Sequence, residues 1–239
     1  MSWKKTWPFF AWQSILHAKS QKDFQQIWSN KKNWSSSFAT GRNSVSDELP
    51  WINFFARDYL KQHLRPEFKV FEFGGGGSTL YFCKNVAEVI TVEDNAEWFK
   101  ILTETIQEKG YTNWQGFFVP SEVLNDPRPR SHENPADFKS SNKSLENRTF
   151  EKYARTIDQF PEAYFDLILV DGRARPSCTQ QALPHLKKGG LLVVDNTERP
   201  HYLAHFKDII ATQFTIEENR IGPIAYTPDF TGTTILRKK

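Results

Sequence analysis

The sequence predicts an α/β fold with a doubly wound, mostly parallel β-sheet. Strand-like segments alternate with helical segments of roughly ten to fifteen residues, a pattern typical of consecutive β-α-β units. Segments 167–170 and 191–194 are continuously apolar, as expected of central strands that are covered by helices on both faces. The last two strand-like segments, 214–219 and 233–237, have no helix between them, so we expect them to form an antiparallel hairpin.

Each element follows from the local spacing of apolar residues and from helix-starting and helix-ending residues. Pro50 favours a helix that starts immediately after it, and Gly110 favours the end of another helix. In chain order we predict a helix over 51–64, a strand over 69–73, a helix over 78–84, a strand over 88–92, a helix over 96–109, strands over 115–119 and 165–170, a helix over 178–186, and a turn at 187–190 that leads into a strand over 190–194.

The chain is expected to comprise an N-terminal helical extension, 1–49, and one domain, 50–239, with a polar insertion at 121–149. The extension is rich in Trp and basic, and up to residue 43 its single acid is Asp23. Two interpretations of the extension remain open: a cap over the substrate pocket, or a surface that docks on a partner or an anionic membrane. The insertion is expected to be a mobile lid or disordered.

Composition limits the class of protein. Of the 239 residues, 38% are hydrophobic and 15% aromatic, which indicates a globular chain with an aromatic-rich core. A net charge of +3 is too small to indicate a nucleic-acid partner, so none is expected. No stretch approaches the roughly 20 apolar residues of a transmembrane helix. Two cysteines, Cys83 and Cys178, give no disulfide framework, and we predict a cytoplasmic protein. The oligomeric state is left open.

A glycine-rich loop follows the first predicted strand and is the sharpest local feature. Gly74 to Gly77 are consecutive, so the backbone can approach a ligand closely where the next helix offers free N–H groups. Glu72 stands beside this loop in a covered segment, and a buried carboxylate requires a partner. A ligand with a positive amino group would provide that partner, whereas a dinucleotide's pyrophosphate would be repelled. Thr79 also replaces the third glycine of a dinucleotide-binding fingerprint.

Two acids, Glu93 and Asp94, end the second predicted strand about 20 residues after the glycine loop. An acid at this place can accept hydrogen bonds from both hydroxyls of a ribose. We therefore expect Glu93 to bind a ribose and either Asp94 or Asn95 to cap the following helix.

These segments, taken together, resemble the class I S-adenosylmethionine-dependent methyltransferases over roughly residues 50–239. The resemblance rests on Glu72-x-Gly74-x-Gly76, Val92-Glu93, the run from Asp166 to Gly172, and the run from Gly189 to Asn196. It implies a Rossmann-like seven-stranded sheet with an antiparallel C-terminal hairpin, and S-adenosylmethionine as cofactor. It assigns Glu72 and Gly74 to the methionine end, Glu93 to the ribose, and Ser121 or Glu122 to the adenine. The expected cofactor residues are Glu72, Phe73, Gly74, Gly75, Gly76, Ser78, Thr79, Glu93, Asp94, Ser121, Glu122 and Asp171.

Polar residues at the ends of the fourth and fifth strands are expected to form the catalytic site. Asp171, Asp195 and Asn196 offer hard oxygen ligands suited to Mg²⁺ and are similar to the metal site of catechol and caffeoyl-CoA O-methyltransferases. Those enzymes have a lysine base soon after the first acid, whereas Asp171 here is followed by Gly172-Arg173-Ala174-Arg175. A metal-free site, in which Asp171 or His201 takes the proton, therefore remains open. Arg173, Arg175 and Arg199 could bind a substrate carboxylate or phosphate.

The preferred hypothesis is methyl transfer to a small-molecule acceptor, with oxygen as the acceptor atom. One alternative is an NAD(P)-binding oxidoreductase, and another is a non-catalytic binding protein that retains a cofactor fold. A nucleic-acid base methyltransferase is disfavoured, because Asp171 to Ala174 lacks the Asp/Asn-Pro-Pro-aromatic run that packs on a flipped base.

Overall fold

A computed structural model describes residues 3–126 and 128–239; Met1 and Ser2 of the extension and Pro127 of the insertion lie outside the described residues. Short 3₁₀ turns lie at Trp3–Lys5, Pro135–Asp137, Lys143–Leu145 and Arg155–Gln159. In chain order the helices and strands are α1 (Trp7–His17), α2 (Gln21–Ser29), α3 (Lys31–Ser36), α4 (Ser44–Asp47), α5 (Phe54–His63), β1 (Lys69–Phe73), α6 (Gly77–Asn85), β2 (Glu88–Glu93), α7 (Ala96–Glu108), β3 (Trp114–Phe118), β4 (Glu122–Val123), β5 (Arg148–Thr149), α8 (Glu151–Ala154), β6 (Phe165–Val170), α9 (Arg175–His185), β7 (Leu186–Asp195), α10 (His201–Ala204), α11 (Lys207–Gln213), β8 (Phe214–Glu218), β9 (Ile221–Gly222) and β10 (Thr231–Lys238).

The central sheet has the strand order β3-β2-β1-β6-β7-β10-β8, and the short strand β9 pairs with β10 as an eighth member. The five strands from β3 to β7 in this order are parallel, and β10 is antiparallel to both β7 and β8. The predicted doubly wound, mostly parallel sheet with an antiparallel C-terminal hairpin is confirmed. The direction of winding reverses between β1 and β6, where open α/β sheets bind their ligands.

Alternating side chains of the central strands fill two separate cores. Phe71 and Ile168 belong to one hydrophobic cluster, whereas Val70 and Leu167 belong to another. Because successive side chains of a strand point to opposite faces, the sheet is buried on both sides. This accounts for the uninterrupted apolar runs in the sequence.

Two of the element boundaries that differ from the predictions have a clear local cause, side-chain capping in one case and a bulge in the other. Helix α5 starts at Phe54, since the Asn53 side chain caps it by accepting from the Ala56 N–H at 3.0 Å. The predicted turn at 187–190 is instead part of β7. There the pairing with β6 shifts register, and Gly189, with φ +79°, accommodates the extra residues as a bulge.

The described part of the N-terminal extension packs onto the domain. Phe10 and Trp34 are buried in one cluster with Phe55 and Phe230. On the outer side of α1, four large apolar side chains are more than half exposed: Trp7, Trp12, Ile15 and Leu16. Among the described residues, no helix is both long and apolar enough to cross a membrane. The cytoplasmic location stays a prediction.

The polar insertion contains regular structure and local hydrogen bonds where it is described, and its predicted role as a mobile lid stays a prediction. Strands β4 and β5 pair as a separate two-stranded sheet. The Phe138 side chain is 6% exposed and lies in the same core cluster as Phe71. The buried Asp137 carboxylate accepts from the Ser131 N–H at 2.9 Å and the Asn134 amide at 3.1 Å. One apolar anchor and these local hydrogen bonds hold a segment whose composition indicated disorder.

Candidate functional site

A cleft of about 720 Å³ opens at the carboxyl ends of the parallel strands, beside the point where the winding reverses. Its volume lies within the range of about 300–1,000 Å³ that is usual for small-molecule sites. The described residues that line it are Ser44, Trp51, Gly74, Gly75, Gly76, Gly77, Ser78, Glu93, Asp94, Asn95, Glu97, Trp98, Ile101, Asp171, Gly172, Arg173, Arg175, Asp195, Asn196, Ile224, Thr227 and Thr231.

The glycine loop forms the floor of the cleft and is tightly constrained. Gly74 has φ +91°, and a Cβ placed there would lie 2.7 Å from the Cα of Gly172. The Gly75 N–H donates to the Glu93 carboxylate at 3.0 Å, and the Gly75 carbonyl accepts from the Trp98 indole at 2.6 Å. The loops after β1 and β6 therefore approach each other so closely that neither has room for a side chain.

Glu72 lies beneath the glycine loop and does not line the cleft. Its side chain is fully buried, and one carboxylate oxygen accepts from the hydroxyls of Thr79 and Thr91. The other oxygen has no hydrogen-bond partner among the described residues. Burial raises the pKa of Glu72 to about 7. Thr79 in turn accepts from the Gly76 N–H at 2.9 Å, so Glu72 supports the loop through Thr79.

Glu93 is held by three backbone N–H groups at the edge of the cleft. Its carboxylate accepts from Gly75 at 3.0 Å and from Asp94 and Asn95, each at 2.9 Å. Burial is the main cause that raises the pKa of Glu93. Asn95 caps helix α7 by accepting from the Trp98 N–H at 2.9 Å. Of the two predicted caps, Asn95 is therefore the one that the structure shows.

Asp171 and Asp195 lie at the ends of β6 and β7, and the guanidinium of Arg175 bridges them. Arg175 Nη2 donates to Asp171 Oδ1 at 2.8 Å, while Nη1 donates to the Asp195 carbonyl and lies 3.9 Å from its carboxylate. The side chain of Arg175 is only 11% exposed. A fixed positive charge therefore stands where the predicted Mg²⁺ would be bound by Asp171, Asp195 and Asn196. The three residues do not fit a divalent cation in this arrangement.

Both acids of this pair are shifted toward their protonated forms. Burial raises the pKa of Asp171 to about 6, although the Arg175 charge opposes the shift. Burial, together with the charge of Asp171, raises the pKa of Asp195 well above its ordinary value. Asp195 is 2% exposed and accepts from the Thr233 hydroxyl at 2.5 Å. With its pKa at about 6, Asp171 is ionised near neutral pH.

Two other predicted catalytic residues have partners outside that pair. Arg173 lines the cleft and forms an ion pair with Asp94, with Nε 3.2 Å from Oδ1. His201 does not line the cleft. It lies beside His132 and Glu133, with the ligand atoms of the three residues within 4.8 Å of one another. Burial lowers the pKa of His201, which favours a neutral imidazole.

The structure places Ser121 and Glu122 away from the cleft. Arg148 donates to the Ser121 hydroxyl at 2.6 Å, and Glu122 forms an ion pair with Lys152 at 2.7 Å. Their assignment to the adenine stays a prediction without support from this arrangement.

Several cleft residues were not among the sequence predictions. Trp98 could have been anticipated, because it lies in the first turn of the helix that follows the acidic strand end. Ser44, Trp51 and Thr231 come from distant parts of the chain and carry no local signal. Only the tertiary fold brings them to the glycine loop.

Comparisons with solved structures show that the fold is similar to that of known methyltransferases. No protein-family model and no curated protein matches the chain. The structure of an O-methyltransferase from Bacillus cereus in complex with S-adenosylhomocysteine (SAH) is similar to this chain. The two are 13% identical, the match covers 99% of this chain and 100% of that chain, and the TM-score is 0.55. A candidate O-methyltransferase from Klebsiella pneumoniae has 15% identity, coverage of 90% and 89%, and a TM-score of 0.53. An rRNA methylase from Streptococcus thermophilus has 12% identity, coverage of 77% and 94%, and a TM-score of 0.50. At these identities the likeness establishes the fold and leaves the acceptor open.

Proposed function

Since the chain has the class I methyltransferase fold, we propose that it is an S-adenosylmethionine-dependent methyltransferase that acts on an oxygen atom of a small molecule. The observation that carries this proposal is the cleft at the sheet's switch point, where the glycine loop lies between Glu93 and Asp171. The close approach of Gly74 to Gly172 holds the loops after β1 and β6 together, because the Gly172 backbone fills the space beside Gly74. Open space lies beside Gly76 instead, where a Cβ would meet only Trp98 at 3.8 Å, so a ligand can lie directly against the main chain there.

The charge of the cleft favours a cationic cofactor. Two basic residues, Arg173 and Arg175, line it, and they are outnumbered by the acids Glu93, Asp94, Glu97, Asp171 and Asp195. S-adenosylmethionine carries a sulfonium and an ammonium group, which acids attract, whereas the pyrophosphate of NAD(P) would be repelled. The electrostatics therefore support the methyltransferase hypothesis over the oxidoreductase alternative.

The cleft walls offer a place for each part of this cofactor. We assign the loop from Gly74 to Ser78, supported from below by Glu72 and Thr79, to the amino-acid end. Glu93 is assigned to the ribose. Trp98 and Ile101 are assigned to the adenine in place of Ser121 and Glu122, because both line the cleft and Ile101 exposes 40% of its apolar side chain. Stacking on such apolar surface is how aromatic rings are commonly held.

When bound, the cofactor supplies an electrophilic methyl group. A hydroxyl acceptor must lose its proton as the oxygen is methylated, and we assign Asp171 as the group that accepts that proton. With its pKa raised to about 6, Asp171 is ionised at neutral pH and more basic than an ordinary aspartate. Arg175 fixes the orientation of the carboxylate through Oδ1, and no metal is required for this proton transfer.

Calorimetry with S-adenosylhomocysteine and, separately, with NADH tests the proposal. We expect S-adenosylhomocysteine to bind and NADH not to bind. Glu93→Ala should weaken binding at least about tenfold, because it removes a charge-assisted hydrogen-bond acceptor. The matched control Glu104→Ala changes an exposed glutamate of helix α7 and should bind as the unaltered protein does. Binding of NADH alone would overturn the proposal.

The exposed apolar face of α1 favours a second role, docking of the N-terminal extension on an anionic membrane surface. Trp7, Trp12, Ile15 and Leu16 are 51–70% exposed, and the lysines Lys4, Lys5, Lys19, Lys22 and Lys32 are exposed nearby in the sequence. Apolar side chains flanked by basic residues bind the interface of anionic bilayers. Vesicles that contain phosphatidylserine should sediment the protein, and Trp12→Ser with Ile15→Ser should abolish this. Equal sedimentation of both proteins would contradict docking through α1.

A further inference from the structure

A second pocket, of about 230 Å³, adjoins the cleft. Three residues, Gly172, Arg173 and Arg175, line both spaces. The two spaces therefore meet at the segment that follows the proposed catalytic residue Asp171. Its remaining wall comes from the polar insertion and from the segment after β7: His132, Lys139, Ser140, Ser141, Asn142, Ala174, Pro176, Arg199 and Tyr202.

The two spaces have opposite electrostatic character. Four cationic side chains line the second pocket, and none of its described lining residues is an acid: the four are Lys139, Arg173, Arg175 and Arg199. The acids that neutralise Arg173 and Arg175, namely Asp94 and Asp171, belong to the cleft. The positive charge is therefore concentrated in the second pocket, and the negative charge in the cleft.

Lys139 is the cation of this pocket that pairs with no other described residue. The residue as a whole is only 8% exposed, and its side chain lines the pocket without a hydrogen bond or ion pair to a described residue. Largely buried lysines are normally paired, and an oxyanion in the pocket would supply that partner. Arg199 donates to the Tyr202 hydroxyl at 3.0 Å, while its Nε lies 3.7 Å from a Glu198 oxygen. Both cations retain hydrogen-bond donors for a further partner.

We propose that this pocket binds an oxyanion group, a phosphate or a carboxylate, of the methyl acceptor. Guanidinium groups bind such oxyanions through paired N–H donors, and the hydroxyls of Ser140 and Ser141 add neutral donors. The acceptor's anionic end then lies between Lys139 and Arg199, and its hydroxyl reaches Asp171 past the shared arginines. That the anion belongs to the methyl acceptor depends on the proposed function, whereas binding of an oxyanion does not.

The test is the stabilisation of the full-length protein by inorganic phosphate and, separately, by acetate. Thermal unfolding is followed as each anion replaces chloride at constant ionic strength, because a ligand that binds the native state raises the melting temperature. EDTA is present throughout, so that a metal ion held by His132, Glu133 and His201 cannot mediate binding. The variants are Lys139→Met, Lys139→Arg and Arg199→Gln. Lys143→Met, which alters an exposed lysine of the same insertion, is the control.

We expect at least one of the two anions to stabilise the unaltered protein and the Lys143→Met control equally. Lys139→Met and Arg199→Gln should each weaken the apparent affinity about tenfold, as the loss of a charged hydrogen-bond donor predicts. Lys139→Arg should retain most of the affinity because it keeps the charge. Stabilisation by phosphate alone identifies a phosphorylated acceptor, and stabilisation by acetate alone identifies a carboxylate.

The proposal is overturned if neither anion stabilises the protein, or if all the variants respond as the control does. S-adenosylhomocysteine binding is measured on the same samples. If oxyanion binding fails while S-adenosylhomocysteine still binds, the pocket assignment is wrong and the methyltransferase assignment stands. If an oxyanion binds but S-adenosylhomocysteine does not, the proposed function is wrong while the assignment of the anion site stands.

Discussion

Arg175 donates to Asp171 twice through one nitrogen, because Nη2 lies 2.8 Å from both the carboxylate and the backbone carbonyl of that residue. The same guanidinium reaches Asp195 on the neighbouring strand. A single side chain thus joins the ends of β6 and β7 and places one positive charge beside both acids.

Arg175→Met should destabilise the fold by about 3–5 kcal/mol, because it leaves buried charge without a counterion. The free energy of unfolding in urea measures this change. Arg155→Met removes exposed ion pairs with Glu151 and Asp158 and should change the same quantity by less than about 1 kcal/mol. Equal effects of the two substitutions would show that the bridge does not stabilise the fold.

Mg²⁺ is expected to have no effect on the melting temperature of the unaltered protein. The Arg175 charge already lies between the two acids, so a divalent cation would meet repulsion there. A scan in EDTA compared with one in millimolar Mg²⁺ measures this. If Mg²⁺ raises the melting temperature, and this increase vanishes when Asp171 and Asp195 are replaced by Asn, the metal hypothesis is restored.

Methyl transfer should depend on pH through the Asp171 carboxylate. Only the ionised form accepts a proton, and its pKa is raised to about 6. The rate should therefore rise about tenfold per pH unit below pH 6 and level off above it. Asp171→Asn should abolish the reaction, whereas His201→Ala should leave the profile unchanged. A profile that follows His201 would identify the imidazole as the base instead.

Glu72 makes the native state less stable as the pH rises. Its pKa is raised from 4.5 to about 7 in the folded protein, so between these values the native state binds more protons than the unfolded state. Stability attributable to this group is fully present below pH 4.5, falls progressively by about 3 kcal/mol as the pH rises from 4.5 to 7, and is lost above pH 7. Urea unfolding at pH 5 and pH 8 should show a smaller decrease for Glu72→Gln than for the unaltered protein. An identical decrease in the free energy of unfolding for both proteins would show that a group other than Glu72 titrates.

Gly74→Ala should cost more stability than Gly110→Ala, although both glycines have positive φ, +91° and +70°. A Cβ at Gly110 meets nothing within 4 Å, whereas one at Gly74 lies 2.7 Å from Gly172. Backbone strain alone costs about 1 kcal/mol, and the steric conflict adds to it at Gly74. Gly74→Ala should also lose S-adenosylhomocysteine binding. Denaturation and calorimetry on both variants check the two effects.

The strand pattern and the strand ends were predictable from the sequence because they depend on local rules. Apolar runs located β6 and β7, and the rule that ligands lie at the carboxyl ends of parallel strands brought Glu93, Asp171 and Asp195 to one cleft. How the side chains pair across strands was not predictable. Helix α9 starts at Arg175, three residues before the predicted start at 178. That start determines whether the Arg175 side chain turns toward Asp171 or toward solvent.

The local structure of the polar insertion was also not predictable. Its composition is that of a polar loop, whereas the structure buries Phe138 in the core and gives the Asp137 carboxylate local hydrogen bonds. Lys139 follows these two residues directly, so the anchoring also determines its burial. No local pattern in the sequence signals such a lysine.

Gly77, the first residue of α6, has no room for a side chain because the backbone carbonyl of Ser44 lies against it. Ser44 and Trp51, which precede the first strand of the sheet, also line the cleft. A ligand that contacts them would link occupancy of the cleft to attachment of that segment, so that each strengthens the other. Amide hydrogens around Trp34, which does not line the cleft, should then exchange more slowly once the cleft is filled.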